Sequence, residues 1–394
     1  MAGMARPVPR LRGGGRAPVS RDAIVLVSTS YPAAGDGSEA AGAFVADFAA
    51  ELRRHAAVRV VGPGAHETVE PGDVPVWRFA GGDRPLSLLS PSKPGDWLPI
   101  ARVLRSMARQ TRAACADGRV AHLLALWVLP SGWMAMREAA RHGVPYSVWA
   151  LGSDIWSLGR SPLVAPALRR VARRAQGAYA DGLALADEAA SICGRPFAFM
   201  PSCRSWGDAP VPAKRSAPPY RLLFLGRWHP NKGVDLLLDA LALLGDDDWS
   251  RIDAVRIEGG GPLEPLVRER CAALRAAGRP VHDGDFLDRG AAAAALGWAD
   301  RLLLPSRIES IPLIFSDAMH FNVPVVAMPV GDLPRLVAQF GGWLSASVSA
   351  EAFASALSQG LFPGPMNDES PAQSPFRIRE VVDAFAMDCL SSTR

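Results

Sequence analysis

The stretch Leu225–Leu241, LGRWHPNKGVDLLLDAL, decides the fold. An apolar strand, RLLFLG (221–226), ends at a glycine. A short polar loop then carries Arg227 and Lys232, and Gly233 leads into an amphipathic helix. A continuously apolar strand running straight into a helix is half of a βαβ unit, the building block of a parallel sheet covered on both faces. Gly226 permits a tight turn. The first N–H groups of the helix and the positive end of its dipole add partial charge to two full charges. Such a loop suits a phosphate, and two cations suit a diphosphate. The alternative is a solvated loop that happens to carry surface cations.

Downstream, AVRIEG (254–259), RPVHDGDF (279–286), DRLLLPS (300–306) and VPVVAMP (323–329) repeat the strand pattern, with helical stretches after them. Upstream, AIVLVSTS (23–30), AVRVVGP (57–63), HLLALWVL (122–129), PYSVWALG (145–152) and GAYA (177–180) do the same. The helix GAFVADFAAELRRH (42–55) follows the first of these. Between the two series, the Pro- and Ser-rich run PSCRSWGDAPVPAKRSAPPY has no helical period and reads as a linker. The expected class is α/β, with two doubly wound Rossmann-like domains facing across a cleft. Residues 1–21 are expected to be a disordered basic tail, 22–200 the first domain, 201–219 the linker and 220–370 the second domain. Residues 371–394 are expected to form a segment and helix returning to the first domain.

Bulk properties agree. A chain of 394 residues is long for one core. With 49% hydrophobic and 21% charged residues it is globular, and a net charge of +4 does not argue for nucleic acid. The five cysteines are scattered with no CxxC pair, so they read as reduced thiols and not as a disulfide frame or zinc site. No apolar run approaches the roughly 20 residues of a membrane span, and the basic N-terminus lacks the apolar core of a signal peptide. The expected location is the cytoplasm. LRRVARRAQ (168–176) places four arginines on one helix. A solvated face is the plain reading, and weak attraction to the anionic inner face of the plasma membrane is the functional one.

Two further strand-end loops join the first. In EGGGPLEPLV (258–267), Gly260 and Gly261 permit close backbone approach by a ligand, or simply a flexible turn. In PSRIESIPLIFSDAMHFNVPVVAMPVGDLPRLV (305–337), Glu309 sits on a loop and a helix begins near Ile311. Asp317 lies eight positions on, so a continuous helix sets both acids on about the same side. An acid on an apolar inner helix needs donors. Sugar hydroxyls supply them, and so does a partner within the protein. No Asp-x-Asp stands on a strand end. GDDDW (245–249) follows a helix end and reads as solvated surface, so neither a metal nor another cofactor is expected. His122 reads as a core residue and His320 as a helix-face residue. His229 lies on the cationic loop as a candidate ligand contact. Trp127, Trp149 and Trp156 cluster at first-domain strand ends, where packing is the default and an aromatic platform for a sugar the sharper alternative.

FLGRWHPNKGVDLLLDA, IEGGGPL and PSRIESIPLIFSDAMHFNVPVV together resemble the second domain of the family-four glycosyltransferases, which have the GT-B fold. SYPAAGDGSEAAGAFVADFAAELRRH and LWVLPSGWMAMREAARHGVPYSVWALGSDIW are similar, more weakly, to its first domain. The resemblance covers about residues 22–390. It implies a retaining, metal-independent transfer of a sugar from a nucleotide-diphosphate sugar to a saccharide, lipid-linked or small-molecule acceptor, in polysaccharide or glycoconjugate synthesis. Arg227 and Lys232 match the pair that holds the donor diphosphate. Glu309 matches the acid facing the donor sugar, and Asp317 the acid that holds the ribose. The backbone of Ser310, Ile311 and Pro312 matches the segment closing on sugar and phosphate. Gly35 and Gly37 match the loop near the donor phosphates and acceptor, and Gly226, Gly260 and Gly261 are donor-side glycines.

The chain departs from the family pattern at four places. Asp317 stands for Glu, Asn322 for Gly and Arg335 for an acid. Leu151 replaces the His that often precedes the Gly-Ser/Asp turn, and Ser153 or Asp154 is the expected substitute at the sugar. A nicotinamide oxidoreductase is a second reading, opposed by the lack of a GxGxxG after the first strand of either half. A non-catalytic partner that binds a nucleotide sugar is a third.

Overall fold

The computed structural model describes residues 22–390 except 34–41, 81, 83–85, 87–88, 91–92, 160, 163, 208–210 and 364–374. The first half runs β1 (Ala23–Ser28), α1 (Ala43–Leu52), β2 (Ala57–Gly64), β3 (Thr68–Glu70), β4 (Val76–Ala80), α2 (Trp97–Ala114), β5 (Val120–Leu126), α3 (Ser131–His142), β6 (Tyr146–Ala150), α4 (Ala165–Arg174), β7 (Ala178–Ala180), α5 (Leu183–Cys193) and β8 (Ala198–Phe199). These strands form one sheet in the order β3-β4-β2-β1-β5-β6-β7-β8, parallel except where β3 runs against β4. All six residues of β1 are buried, as a strand covered on both faces requires.

The second half runs β9 (Tyr220–Arg227), α6 (Val234–Ala242), α7 (Asp246–Trp249), β10 (Ile252–Gly260), α8 (Glu264–Ala276), β11 (Val281–Gly284), α9 (Arg289–Trp298), β12 (Arg301–Leu304), α10 (Leu313–His320), β13 (Val325–Ala327), α11 (Leu333–Phe340), β14 (Trp343–Leu344) and α12 (Ala350–Gly360). Its parallel sheet has the order β11-β10-β9-β12-β13-β14. In both sheets the chain first builds outward on one side and then restarts on the other. The strand order therefore reverses between β1 and β5, and again between β9 and β12. Such switch points open a crevice at the C-terminal ends of the strands, where open α/β sheets bind ligands.

The last helix, α13 (Ile378–Leu390), lies on the first domain. Phe385 stacks edge-on against Phe48, Asp383 bonds Arg54 and His55, and Arg379 pairs with Glu51. His122 is fully buried there, with Nε2 3.0 Å from Ser147 Oγ and 3.4 Å from Cys389 Sγ, and burial pushes its pKa down to about 4. All five cysteines are free and buried. The acidic run after α6 is the first turn of α7, where acids complement the helix dipole; Asp246 and Asp247 are exposed, while Asp248 is half-buried and accepts the Ser358 hydroxyl at 2.6 Å. No helix among the described residues is long and apolar enough to cross a membrane. Of the four arginines on α4, Arg169 and Arg173 donate to the last carbonyls of α5, at Ile192 and Cys193. The basic face is thus partly committed to packing.

Candidate functional site

The loops after β9 and β12 flank the second switch point and are tied together. Arg307 donates to the Pro230 carbonyl (2.6 Å) and bidentately to Asp235 (2.8 and 2.7 Å), and its N–H donates to the Asn231 carbonyl (2.9 Å). Gly233 sits at φ +68 where this loop enters α6. A Cβ there would stand 1.9 Å from the Pro305 carbonyl oxygen, so only glycine lets the two loops meet.

This clamp brings Lys232 to Glu309. Nζ lies 2.5 Å from Oε1, and Ser306 Oγ donates to the same oxygen at 2.8 Å. The Glu309 side chain is nearly buried, at 9% exposure, while Lys232 keeps 32%. Arg227 ends β9 with an exposed guanidinium that has no ion-pair partner among the described residues. Two of the residues singled out from the sequence therefore meet, Glu309 and Lys232, with Ser306 on the same carboxylate oxygen; Arg227 ends the strand that leads into the Lys232 loop. His229 caps the turn between them, its Nδ1 accepting the Asn231 N–H at 3.1 Å.

The glycines at the end of β10 serve a close approach to the end of β9 and the loop after it. A Cβ on Gly259 would lie 1.9 Å from the Gly226 carbonyl oxygen, and one on Gly261 2.8 Å from that of Trp228. The Trp228 N–H donates to the Gly260 carbonyl at 2.8 Å. The β10 loop is thereby locked to the β9 loop.

Two of the expected ligand contacts are engaged within the protein. Asp317, expected to hold a ribose, is buried on α10 and already has its donors. Arg204 grips both its oxygens, and the Trp206 indole N–H donates to Oδ1 at 2.8 Å. Burial raises its pKa and the Arg204 charge opposes the rise. Asp154, expected at a sugar, is 1% exposed and faces inward. It accepts the N–H groups of Val128 (2.6 Å) and Leu151 (3.4 Å), which joins the ends of β5 and β6, and burial pushes its pKa up to about 6. Ser153 remains exposed beside it. Gly35 and Gly37 lie outside the described residues.

Trp127, at the end of β5, is half-buried at φ +69, a strained conformation for a bulky residue and one that clusters at functional sites. Trp149 is core, with its indole N–H on the Met200 carbonyl.

The first domain meets this site across the cleft. Ser310 Oγ lies 3.4 Å from Asp181 Oδ1, at the end of β7. Asp332, which opens α11, accepts the Ala184 N–H on α5. Burial, then the neighbouring Asp154, pushes the Asp181 pKa up to about 7. Ile311 and Pro312 lead into α10, with Pro312 as its N-cap. Ser306, Arg307, Asp181 and Asp332 were missed in the sequence. Arg307, two residues before Glu309, carried a weak signal, since an arginine on a strand-end loop can reach the acid in the first turn of a neighbouring helix, here Asp235 of α6.

Residues 219–361 match the family described as Glycosyl transferases group 1. A D-inositol 3-phosphate glycosyltransferase of Jonesia denitrificans is 35% identical over 121 residues, which span 30% of this chain and 28% of that protein. Among solved structures, the sucrose-phosphate synthase of Thermosynechococcus elongatus superposes with a TM-score of 0.63 at 18% identity, covering 95% of this chain and 98% of that one. Anabaena Alr3699/HepE in complex with UDP-glucose does so with a TM-score of 0.56 at 15% identity, covering 94% and 96%.

Proposed function

We propose, from the premise that the chain has the GT-B fold and that its second domain is of the glycosyl transferases group 1, that it transfers a sugar from a nucleotide-diphosphate sugar to a saccharide, lipid-linked or small-molecule acceptor. The observation that carries this reading is the Lys232–Glu309–Ser306 cluster at the switch point between β9 and β12, with Arg227, which has no ion-pair partner among the described residues, at the end of β9. The donor complex of the structural neighbour named with UDP-glucose supports a nucleotide-sugar donor. The mechanism of the family-four enzymes, with retention at the anomeric carbon and without a metal, is the finer part of the proposal.

In that mechanism the C1–O bond to the diphosphate breaks and a C1–O bond to the acceptor forms. The acceptor proton passes to the leaving phosphate oxygen, so no separate base is needed. Arg227 and Lys232 stabilise the charge that develops on the leaving group, within a cleft where such interactions are stronger than in water. Glu309, already held against Lys232, orients the sugar and stabilises positive charge at C1, without forming a covalent intermediate. Arg307 keeps both loops in register. Loss of one such charge donor lowers kcat by about 10²–10³-fold. Trp127 and Ser153 are the acceptor-side contacts of the proposal, and the cytoplasm, with weak attachment to anionic membrane through Arg170 and Arg174, is its setting.

The test is a thermal-shift panel of nucleoside diphosphates and nucleotide sugars, followed by transfer assays with and without chelator and by NMR of the product anomer. A ligand at 100 times its dissociation constant adds about 2.7 kcal/mol of stability. Lys232→Ala is expected to abolish that response. Silence towards every nucleotide diphosphate rejects the proposal. Binding without turnover favours the non-catalytic partner, a reading supported by the engagement of Asp317 with Arg204 and Trp206.

A further inference from the structure

The first turn of α5 has no cap of its own. Its N-cap residue is Gly182, with extended backbone and no side chain to accept the N–H groups that a helix leaves open. The missing acceptor comes from the other domain. Asp332 is 1% exposed, and its carboxylate accepts the Ala184 N–H at 2.9 Å (Oδ1) and 3.1 Å (Oδ2), at the positive end of the α5 dipole. The domains touch closely here. A Cβ on Gly182 would lie 2.2 Å from Ser310 Oγ and 2.8 Å from Asp332 Oδ2.

Asp332 is also wired to the candidate site. Its N–H donates to the Ser310 carbonyl at 3.2 Å. Gly331, at φ +55, is pressed so near the Glu309 and Ser310 carbonyls that a Cβ would stand 2.3 and 2.5 Å from them. A continuous path therefore runs from the α5 N-terminus through Asp332 to Ser310, Glu309 and Lys232. Among the described residues Ser310 Oγ also lies 3.4 Å from Asp181 Oδ1, and two more exposed ion pairs cross the cleft, Arg289 to Asp47 and Arg335 to Asp187 at 3.5 Å.

We propose that Asp332 is a cross-domain helix cap that holds the cleft closed and, through Ser310, seats the Glu309 loop for the donor. It is a positioning residue and does not touch the reacting atoms. The donor half of this statement rests on the proposed function; the closure half does not.

The experiment measures closure and catalysis separately. Small-angle scattering of the full chain without nucleotide reads closure, and transfer kinetics read seating. Asp332→Ala is expected to shift the closed-to-open ratio by roughly five-fold towards open, the usual weight of an N-cap, and so to raise the radius of gyration. It is also expected to raise the donor KM more than it lowers kcat. Asp332→Asn keeps a capping oxygen and is expected to restore most of both. Gly182→Ala is the control for misfolding. Its backbone is extended (φ −142), so the methyl suits the first domain and collides with Ser310 and Asp332 of the second. It should open the cleft as well. Unchanged scattering in both Asp332→Ala and Gly182→Ala overturns the proposal, as does a lowered melting temperature with closure and KM unaltered. If both variants open the cleft but no sugar is transferred by any form, the clasp stands and the glycosyltransferase reading falls.

Discussion

Replacing Gly233 by alanine tests the geometry on which the Lys232–Glu309 pair depends, and Gly278→Ala supplies a matched control. Both glycines are left-handed, at φ +68 and +76. For a residue with a Cβ that conformation costs about 1–2 kcal/mol. A stiffer unfolded chain offsets about 0.4–1 kcal/mol of this. Gly278 has nothing within 4 Å of an added Cβ, so its substitution should cost about 1 kcal/mol on these figures. At Gly233 the new Cβ would lie 1.9 Å from the Pro305 oxygen and 2.8 Å from its carbonyl carbon, well inside the 3.4 Å at which ordinary contact begins. Backbone must move, which adds about 1–3 kcal/mol of overpacking. The expected total is about 3 kcal/mol. For a domain of this size 1 kcal/mol shifts Tm by roughly 2–4 °C. In calorimetry the second-domain transition should fall by roughly 6–12 °C for Gly233→Ala and by roughly 2–4 °C for Gly278→Ala. The displaced segment begins the loop that carries Ser306 and Glu309. Stabilisation by nucleoside diphosphate should therefore weaken in the first variant and persist in the second. Equal Tm shifts, with equal nucleotide responses, would refute the close approach of the two loops.

Asp317→Asn leaves the Arg204 guanidinium without its buried counter-charge; a loss of about 3–5 kcal/mol is expected in chemical denaturation. Nucleotide affinity should hold in that variant, and a collapse of affinity would return Asp317 to the ribose. Arg307→Lys replaces a planar fork with a point charge, so the bidentate grip on Asp235 is lost. Titration calorimetry should show weaker nucleotide binding with the fold retained. Asp181 gives a pH signature. Its folded pKa lies near 7 against an ordinary value of 3.8, so its protonated form favours folding. The stability it contributes is fully present below its ordinary pKa and is lost as pH rises through about 7. The stability advantage of Asp181→Asn should be nil in acid, grow between those two values and level off above the upper one. A pH-independent difference would count against the burial that sets the shift.

Alternation of apolar strands and helices was readable because each central strand is covered on both faces, so burial is written into consecutive residues such as Ala23–Ser28 and Arg301–Leu304. The nearness of Lys232 and Glu309 was readable for a related reason. They stand at strand ends, and the parallel order of the sheet carries strand ends to one edge. The partners of the acids were not readable. Asp317 is 113 residues from Arg204, and Asp332 is 148 from Ala184. Periodicity places a side chain on a face but is silent about what the linker or the other domain brings to that face. The Gly259–Gly261 turn shows the same limit from the backbone side. A run of glycines states that something approaches closely. Whether that is a ligand or another turn depends on which strand lies alongside, and here β9 pairs with β10 so that the Gly226 carbonyl fills the space above Gly259. An acid at a strand end is open to a substrate only if no arginine or helix terminus reaches it first. Glu309 is engaged at Oε1 by Lys232 and Ser306, which keep it at the edge of the cleft, whereas Asp317 and Asp154 have both oxygens engaged and face inward.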